Sequence, residues 1–129
     1  MPTYPARQIG FQCVGYLRAP ITFGLGYTGV KQVGTLPAGA VVLRAYIVVK
    51  TAFNNGSTNT MAIGTTASST AFSTALALGT VGLISGSTLA TASTVTPSVD
   101  TPVVATMVST GSAATTGAGE VVVEYLPVS

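Results

Sequence analysis

The clearest pattern in the chain is a strict alternation over residues 40–50. Side chains in a β-strand point to opposite faces in turn, so this pattern predicts a strand with one core face and one outer face. The predicted core set is Val41, Leu43, Ala45, Ile47 and Val49. The predicted outer set is Val42, Arg44, Tyr46, Val48 and Lys50. Tyr46 and Val48 lie among charged positions and are therefore candidates for contact with another chain.

Turn signals divide the rest of the chain into further strands. Leu36-Pro37-Ala38-Gly39 predicts a turn that folds residues 29–35 back on the central strand. Asn54-Asn55-Gly56 predicts a second turn before residues 59–64. The other strand patterns are residues 9–17, 76–84, 87–95, 103–109 and 120–126, with a turn of helix as the alternative for residues 71–78. Residues 110–118 are small and polar and predict an exposed, mobile loop.

These short strands predict an all-β fold. One domain with seven to nine strands must close as a sandwich or barrel. We predict a single-domain antiparallel β-sandwich, jelly-roll-like, over residues 9–129. Pro2 and Pro5 should hold residues 1–8 extended, as an N-terminal arm outside the core. The 129 residues suit one domain, and 15 glycines with 7 prolines argue against a helical bundle.

Charge is scarce and unevenly placed. Only 6% of the residues are charged, and none lies between Lys50 and Asp100. A typical soluble domain carries about a quarter charged residues, so this surface suits a protein that packs against other proteins. All five cations precede residue 51 and all three acids follow residue 99. This order predicts a basic N-terminal half that faces an acidic protein surface, with scattered solubility charges as the alternative.

The side chains that most catalysis requires are missing. The chain has no histidine, and its single cysteine, Cys13, has no base to form a thiolate. Cys13 is interpreted as a core residue. Glu120 and Glu124 share a strand face about 13 Å apart, so they are interpreted as independent solvated charges rather than as a glycosidase pair. We predict no catalytic residue, no metal site and no cofactor.

Other classes of partner can be tested on the same sequence. Gly24-Leu25-Gly26-Tyr27-Thr28-Gly29 matches the dinucleotide fingerprint, but strand and turn patterns follow it where a helix is needed. Residues 70–92 are neutral, yet hydroxyls interrupt them and no basic residue flanks them, so we predict no membrane span. The five cations are dispersed among the strands and form no continuous basic surface, so we predict no nucleic-acid binding. Residues 1–8 lack a secretory signal, so we expect the chain to fold where it is made.

Three segments resemble small head proteins of tailed bacteriophages, the decoration or cement proteins of the capsid exterior. The segments are GVKQVGTLPAGA at residues 29–40, AFNNGSTNTMAIGT at residues 52–65 and GAGEVVVEY at residues 117–125. The resemblance implies a jelly-roll-like homodimer or homotrimer that clamps major capsid protein subunits and helps the shell withstand internal DNA pressure. It implies no catalytic residues. Fibre and tail-tip proteins share this composition, so a receptor-binding module is the alternative function.

The expected assembly follows from the charge order, the arm and the resemblance. The protein would be made in the host cytoplasm and located on the capsid exterior, with its arm on a neighbouring subunit. The partners would be the major capsid protein and further copies of this chain, without nucleic acid or membrane. The predicted capsid or subunit interface comprises Tyr4, Arg7, Arg18, Lys31, Arg44, Tyr46, Val48 and Lys50.

Overall fold

A computed structural model of the chain describes residues 14–26, 28–85 and 97–126. These residues form eight β-strands and one short 3-10 turn, Phe23–Leu25. The strands are β1 (Gly15–Thr22), β2 (Val30–Leu36), β3 (Val41–Thr51), β4 (Thr60–Thr65), β5 (Ser73–Ala77), β6 (Gly82–Ser85), β7 (Thr101–Met107) and β8 (Ala118–Leu126). The predicted all-β class is therefore confirmed.

The eight strands form two four-stranded antiparallel sheets. The strand orders are β1-β8-β3-β6 and β2-β7-β4-β5. The first strand pairs with the last, the second with the seventh, the third with the sixth and the fourth with the fifth. A long hairpin that is rolled up on itself gives this nested pairing, which is the jelly-roll topology. The predicted antiparallel β-sandwich is confirmed.

The core lies between the two sheets and is almost entirely aliphatic. β3 and β8 contribute Ile47, Val121 and Val123, each 0% exposed. The facing sheet contributes Leu36, Met61, Ile63, Val103 and Met107, all between 0% and 1% exposed. Each such side chain stabilises the fold by roughly 1.5–3 kcal/mol relative to an exposed one. Because these residues alternate along their strands, the residues between them lie on the two outer faces of the sandwich.

The alternation predicted for β3 holds from Arg44 onward and is wrong for residues 41–43. Val42 is buried at 3% exposure, whereas Val41 and Leu43 are 37% and 38% exposed. The register with β8 shifts between Val42 and Arg44, which marks a β-bulge. A bulge places an extra residue in one strand, so the two faces exchange at that point. The predicted core positions Val41 and Leu43 therefore lie outside the core.

The other predicted strands that fall within the described residues are confirmed, with shifted boundaries. The single strand expected over residues 76–84 is two strands, β5 and β6, and β5 excludes the helical alternative for residues 71–78. β1 begins at Gly15 and continues to Thr22, beyond the predicted end at residue 17. The arm at residues 1–8, the first part of the opening strand, Cys13 and the predicted strand over residues 87–95 lie outside the described residues.

The loop of residues 110–117 is exposed over most of its length, as predicted, but it is bonded to the loop before β4. The side-chain oxygen of Asn54 accepts hydrogen bonds from the backbone N–H groups of Thr115 and Thr116, at 2.8 and 3.1 Å. The amide nitrogen of Asn54 donates to the Thr115 hydroxyl at 3.0 Å. One asparagine side chain therefore joins the two longest loops at this end of the sandwich.

The glycine-rich segment of residues 24–29 behaves as the sequence predicts. The glycine run ends in β2 and not in a helix, so it cannot place a helix N-terminus against a pyrophosphate. A Cβ atom at Gly29 would overlap the carbonyl oxygen of Leu25, which explains that glycine by close packing. Within the described ranges, no helix has the length and apolar character to cross a membrane.

Candidate docking face

The outer face of the sheet β1-β8-β3-β6, here called the charged face, carries most of the ionisable side chains of the strands. Its members are Tyr16, Arg18, Arg44, Tyr46, Val48, Lys50, Leu83, Glu120, Val122 and Glu124. Their neighbours along the strands, such as Ala19, Ile47 and Val121, point into the core. Strand alternation therefore directs these side chains together to the outside of one sheet.

Glu124 is the most enclosed carboxylate on this face, with a side chain only 9% exposed. Nη2 of Arg44 lies 3.0 Å from its Oε1 and 2.8 Å from its Oε2. The Tyr46 hydroxyl donates a further hydrogen bond to Oε2 at 2.8 Å. The Arg44 guanidinium carbon also lies 5.5 Å from the centre of the Tyr46 ring, within cation–π distance.

These contacts shift the titration of both acidic groups. The Tyr46 hydrogen bond, followed by the Arg44 bond and charge, lowers the pKa of Glu124 below its ordinary value despite burial. Burial, then the hydrogen bond to Glu124, raises the pKa of Tyr46. Glu124 is thus held ionised and Tyr46 is held protonated at neutral pH.

Glu120 forms the second ionic cluster. It lies on the same face of β8 as Glu124, four residues earlier in the chain. Nε of Arg18 donates a hydrogen bond to Oε1 of Glu120, and Nζ of Lys50 lies 3.8 Å from Oε2. The Arg18 bond lowers the pKa of Glu120. Glu120 and Glu124 are independent of each other, as predicted, because each carboxylate has its own cationic partners. The prediction that they are simply solvated charges is wrong for the same reason.

The structure brings five of the eight predicted interface residues onto this one face. They are Arg18, Arg44, Tyr46, Val48 and Lys50. Lys31 lies on β2 in the other sheet, and Tyr4 and Arg7 lie outside the described residues. Three cations and two carboxylates give the charged face a net charge of +1. The three cations are thus already largely balanced within the chain.

Between the clusters lies a shallow, open depression of about 240 Å³, here called the tyrosine groove. It is lined by Tyr16, Arg18, Tyr46, Val48, Glu120 and Val122. Tyr16 is 56% exposed, whereas Val122 is only 6% exposed. The groove therefore combines an exposed aromatic ring with a largely buried apolar side chain. Tyrosine and arginine are enriched at protein interfaces, so this surface has the composition of a contact surface.

The sequence missed Tyr16, Glu120, Glu124 and Val122 as members of this face. The alternation along each strand is readable in the sequence, which already places Glu120 and Glu124 on one strand face. What brings them beside β3 is the position of β8 between β1 and β3, which pairs residues 67 to 110 positions apart in the chain. No local sequence signal specifies that pairing.

The outer face of the sheet β2-β7-β4-β5 has different chemistry. Lys31 is the only residue of its four strands with a charged side chain. Ala62, Val104 and Thr106 are among its outward residues, between the core residues of β4 and β7. Across the described part of the chain, no group of three or more His, Cys, Asp or Glu side chains could hold a metal ion. The two outer faces therefore differ mainly in paired charge and in exposed tyrosine.

Comparison with known proteins gives one informative result. No protein-family model matches the chain. No curated protein matches it either. Among solved structures, the chain is similar to a chain of the "Cyanophage Pam1 capsid asymmetric unit", with a TM-score of 0.72 and 21% sequence identity. The superposition covers 100% of this chain and 94% of that chain. This chain therefore has the fold of a chain in that capsid structure.

Proposed function

We propose that the chain is a structural virion protein that decorates a phage capsid, binding the major capsid shell from outside and stabilising it. The observation that carries this proposal is the near-complete superposition on a chain of a capsid asymmetric unit. Because almost all of both chains is covered, the similarity is to a whole subunit of comparable length. It is not a similarity to one domain within a much larger protein.

The surface chemistry supports a role in packing against other proteins. Burying a charge without a partner is costly, and truncating one member of a buried pair typically costs 3–5 kcal/mol. On the charged face, Arg18, Arg44 and Lys50 already face Glu120 or Glu124. This face can therefore be covered by a neighbour without leaving an isolated charge. The proposed capsid or subunit contact is this face, together with Lys31 and the arm residues Tyr4 and Arg7.

A decoration protein stabilises a shell by contacting more than one subunit at once. The arm at residues 1–8 would extend the reach of the domain to a neighbouring subunit, and a homodimer or homotrimer would multiply the contacts. Each copy would then add binding energy that must be broken before shell subunits separate. We propose no catalytic step, because the two strand carboxylates that could form an acid–base pair are held in separate ion pairs.

Binding to purified shells that lack this protein tests the proposal. The wild-type chain should saturate the shells and raise the temperature at which they open. Val48→Asp, which places a carboxylate beside Glu120, should reduce occupancy at least tenfold. The matched control is Thr35→Asp on β2 of the other sheet, which should bind as the wild type does.

Two outcomes would count against the proposal in different ways. Wild-type protein that does not bind shells would overturn the decoration function. Binding that survives Val48→Asp but is lost with Thr35→Asp would retain the function and move the contact to the other sheet.

The alternative is a receptor-binding module of a fibre or tail. The observation in its favour is the pair Tyr16 and Tyr46 beside an open groove, because sugars stack on exposed aromatic rings. This function predicts glycan binding that Tyr16→Ala abolishes and no affinity for shells. Saturable shell binding without glycan binding would exclude it.

A further inference from the structure

We propose that the tyrosine groove binds residues 2–7 of the N-terminal arm of a neighbouring copy of this chain. The inference goes beyond the decoration function and does not depend on it. It assigns an occupant to a surface that is open in the single chain, and it identifies the contact that holds copies together.

The chemistry of the groove fits a proline-rich segment. Tyr16 and Tyr46 present two aromatic side chains, and Val48 and Val122 supply apolar surface between them. Proline-rich segments in the polyproline II conformation bind grooves lined with aromatic residues, because their extended form is already set before binding. A groove of about 240 Å³ is large enough for one or two proline rings with their backbone.

The arm carries the matching sequence, Met1-Pro2-Thr3-Tyr4-Pro5-Ala6-Arg7. Pro2 and Pro5 are three residues apart, which is one full turn of polyproline II, so both rings lie on the same side of the segment. One turn spans roughly 9 Å at 3.1 Å per residue. Two rings at that spacing can contact two neighbouring tyrosines at once.

An ion pair between Arg7 of the arm and Glu120 of the groove would set the direction in which the arm lies. Arg7 follows the second proline by two residues, and Glu120 lies at the rim of the groove. Glu120 accepts one hydrogen bond from Arg18, while Lys50 at 3.8 Å is an ion-pair contact beyond hydrogen-bond distance. A carboxylate has about four lone-pair positions, so Glu120 can accept a further hydrogen bond from an incoming guanidinium.

The position of the arm favours a neighbouring copy over the same chain. The described chain begins at Val14, directly before β1, which is an edge strand and carries Tyr16. The alternation of residues 9–17 predicts an extended approach to this strand. If the chain continues extended, the eight residues from Arg7 to Gly15 would span roughly 26 Å. The groove beside Tyr16 and Arg18 lies in the opposite direction along β1, so an extended arm meets the groove of another copy.

Arm exchange of this kind closes into a symmetric oligomer. Two copies that each insert an arm into the other form a two-fold dimer, and three copies in a ring form a trimer. Either arrangement uses every arm and fills every groove, which gives a closed assembly without growing filaments.

Sedimentation of the full-length protein tests whether association requires both the tyrosine groove and the N-terminal arm. Wild-type chain should be oligomeric at micromolar concentration. Tyr16→Ala and the double variant Pro2→Ala/Pro5→Ala should each weaken association at least tenfold. Thr35→Ala, on the other sheet, should not weaken it. Because Tyr16 is 56% exposed, its truncation should leave the fold intact, which far-UV circular dichroism would check.

Disulfide trapping between copies tests the contact itself. In a Cys13→Ser background, one copy carries Thr3→Cys and the other carries Val48→Cys. Mild oxidation should give a covalent mixed dimer, and Thr35→Cys in place of Val48→Cys should give none. A monomeric wild-type protein, equal trapping at Val48 and Thr35, or association unchanged by both the groove and the arm variants would overturn the inference. Loss of shell binding with intact exchange would overturn only the decoration function.

Discussion

The hydroxyl of Tyr46 donates a 2.8 Å hydrogen bond to Oε2 of Glu124, diagonally across the β3–β8 pair. Glu124 is only 7% exposed, although it lies on an outer face of the sandwich. Arg44 covers the same carboxylate from the residue directly opposite in β3. Three side chains of two strands thus form a compact ionic cluster that fixes the position of the Tyr46 ring. That ring is one wall of the tyrosine groove.

Removing the Tyr46 hydroxyl should destabilise the fold measurably. Tyr46→Phe keeps the ring but leaves Glu124 with only its Arg44 bonds. A hydrogen bond to a charged group contributes about 1.5–3 kcal/mol, so we expect a loss of about 1.5 kcal/mol in the free energy of unfolding. Denaturant titration gives this value. Tyr16→Phe, at a 56% exposed residue, should change it by less than about 0.5 kcal/mol. Equal effects of the two substitutions would contradict this account of the cluster.

The same cluster predicts the pH dependence of stability. The pKa of Glu124 is lowered in the folded chain, so its ionised form stabilises the fold at every pH above the ordinary glutamate value of about 4.3. That stabilisation is lost as the pH falls through the lowered folded value. Glu120 acts in the same direction.

Thermal unfolding of wild type and Glu124→Gln from pH 7 to pH 3 is the measurement. The wild type should be more stable at pH 7, and the two unfolding temperatures should approach each other as the pH falls below about 4.3 toward the lowered pKa of Glu124. Parallel curves over that range would show that the carboxylate charge of Glu124 does not contribute.

β3 shows most clearly which parts of the fold can be predicted from the sequence. Its apolar and polar positions alternate, and this local pattern correctly predicts a strand, its core face from Ala45 onward and its outer residues Arg44 and Lys50. The bulge beside Leu43 is not encoded locally, because it depends on how β3 aligns with β8. The division of residues 76–84 into two strands likewise depends on a turn between edge strands of different sheets.

The candidate site was predictable to the same extent. Arg44, Tyr46, Val48 and Lys50 share one strand, so strand alternation alone places them together. Their carboxylate partners come from β8, and the order β1-β8-β3 results from packing the whole chain into two sheets. A pairing between residues that are distant in sequence leaves no periodic signal. For this reason the cations looked available for a partner, while the structure shows three of them in ion pairs.

A substitution at Gly117 should show how tightly the loop before β8 is held. Gly117 has φ of +146°, and a Cβ atom there would lie 2.6 Å from the Phe53 ring, which is 2% exposed. Backbone strain costs about 1–3 kcal/mol, and displacing a core ring adds to it. We therefore expect Gly117→Ala to lower the free energy of unfolding by about 3 kcal/mol or more.

The matched control for Gly117 is Gly26→Ala. Gly26 also has a positive φ, +73°, but open space surrounds its Cβ position. Its cost should be limited to the backbone strain of about 1–3 kcal/mol that Gly117 also carries, without the displaced ring. Denaturant titration of both variants compares them, and an equal loss would mean that the Phe53 contact is unimportant.

Asn54→Ala should release the loop of residues 110–117. The substitution removes one donor and one acceptor that together make three hydrogen bonds to Thr115 and Thr116. The expected cost is about 1–3 kcal/mol, and hydrogen exchange should accelerate in this loop specifically. Asn54→Asp keeps the acceptor for both backbone N–H groups and should preserve most of the protection. Exchange that is unchanged in Asn54→Ala would contradict the role of this side chain.

Attachment to shells should depend on salt only weakly if the charged face makes the contact. Lys50 is 65% exposed and lies at 3.8 Å from Glu120, so it keeps much of its charge available to a partner. Lys50→Gln changes the face from a net charge of +1 to zero. An exposed ion pair contributes about 0–1 kcal/mol, so the association rate with an acidic surface should fall up to about fivefold at low salt.

At about 1 M salt the screening length is about 3 Å, and wild type and variant should then bind equally fast. Lys31→Gln, on the other sheet, tests whether that cation belongs to the contact, because it should then slow association at low salt as Lys50→Gln does. Association and dissociation rates on bare shells give the answer. An association rate that is indifferent to salt and to Lys50→Gln would show that the order of charges along the chain is accidental, and that apolar packing accounts for attachment.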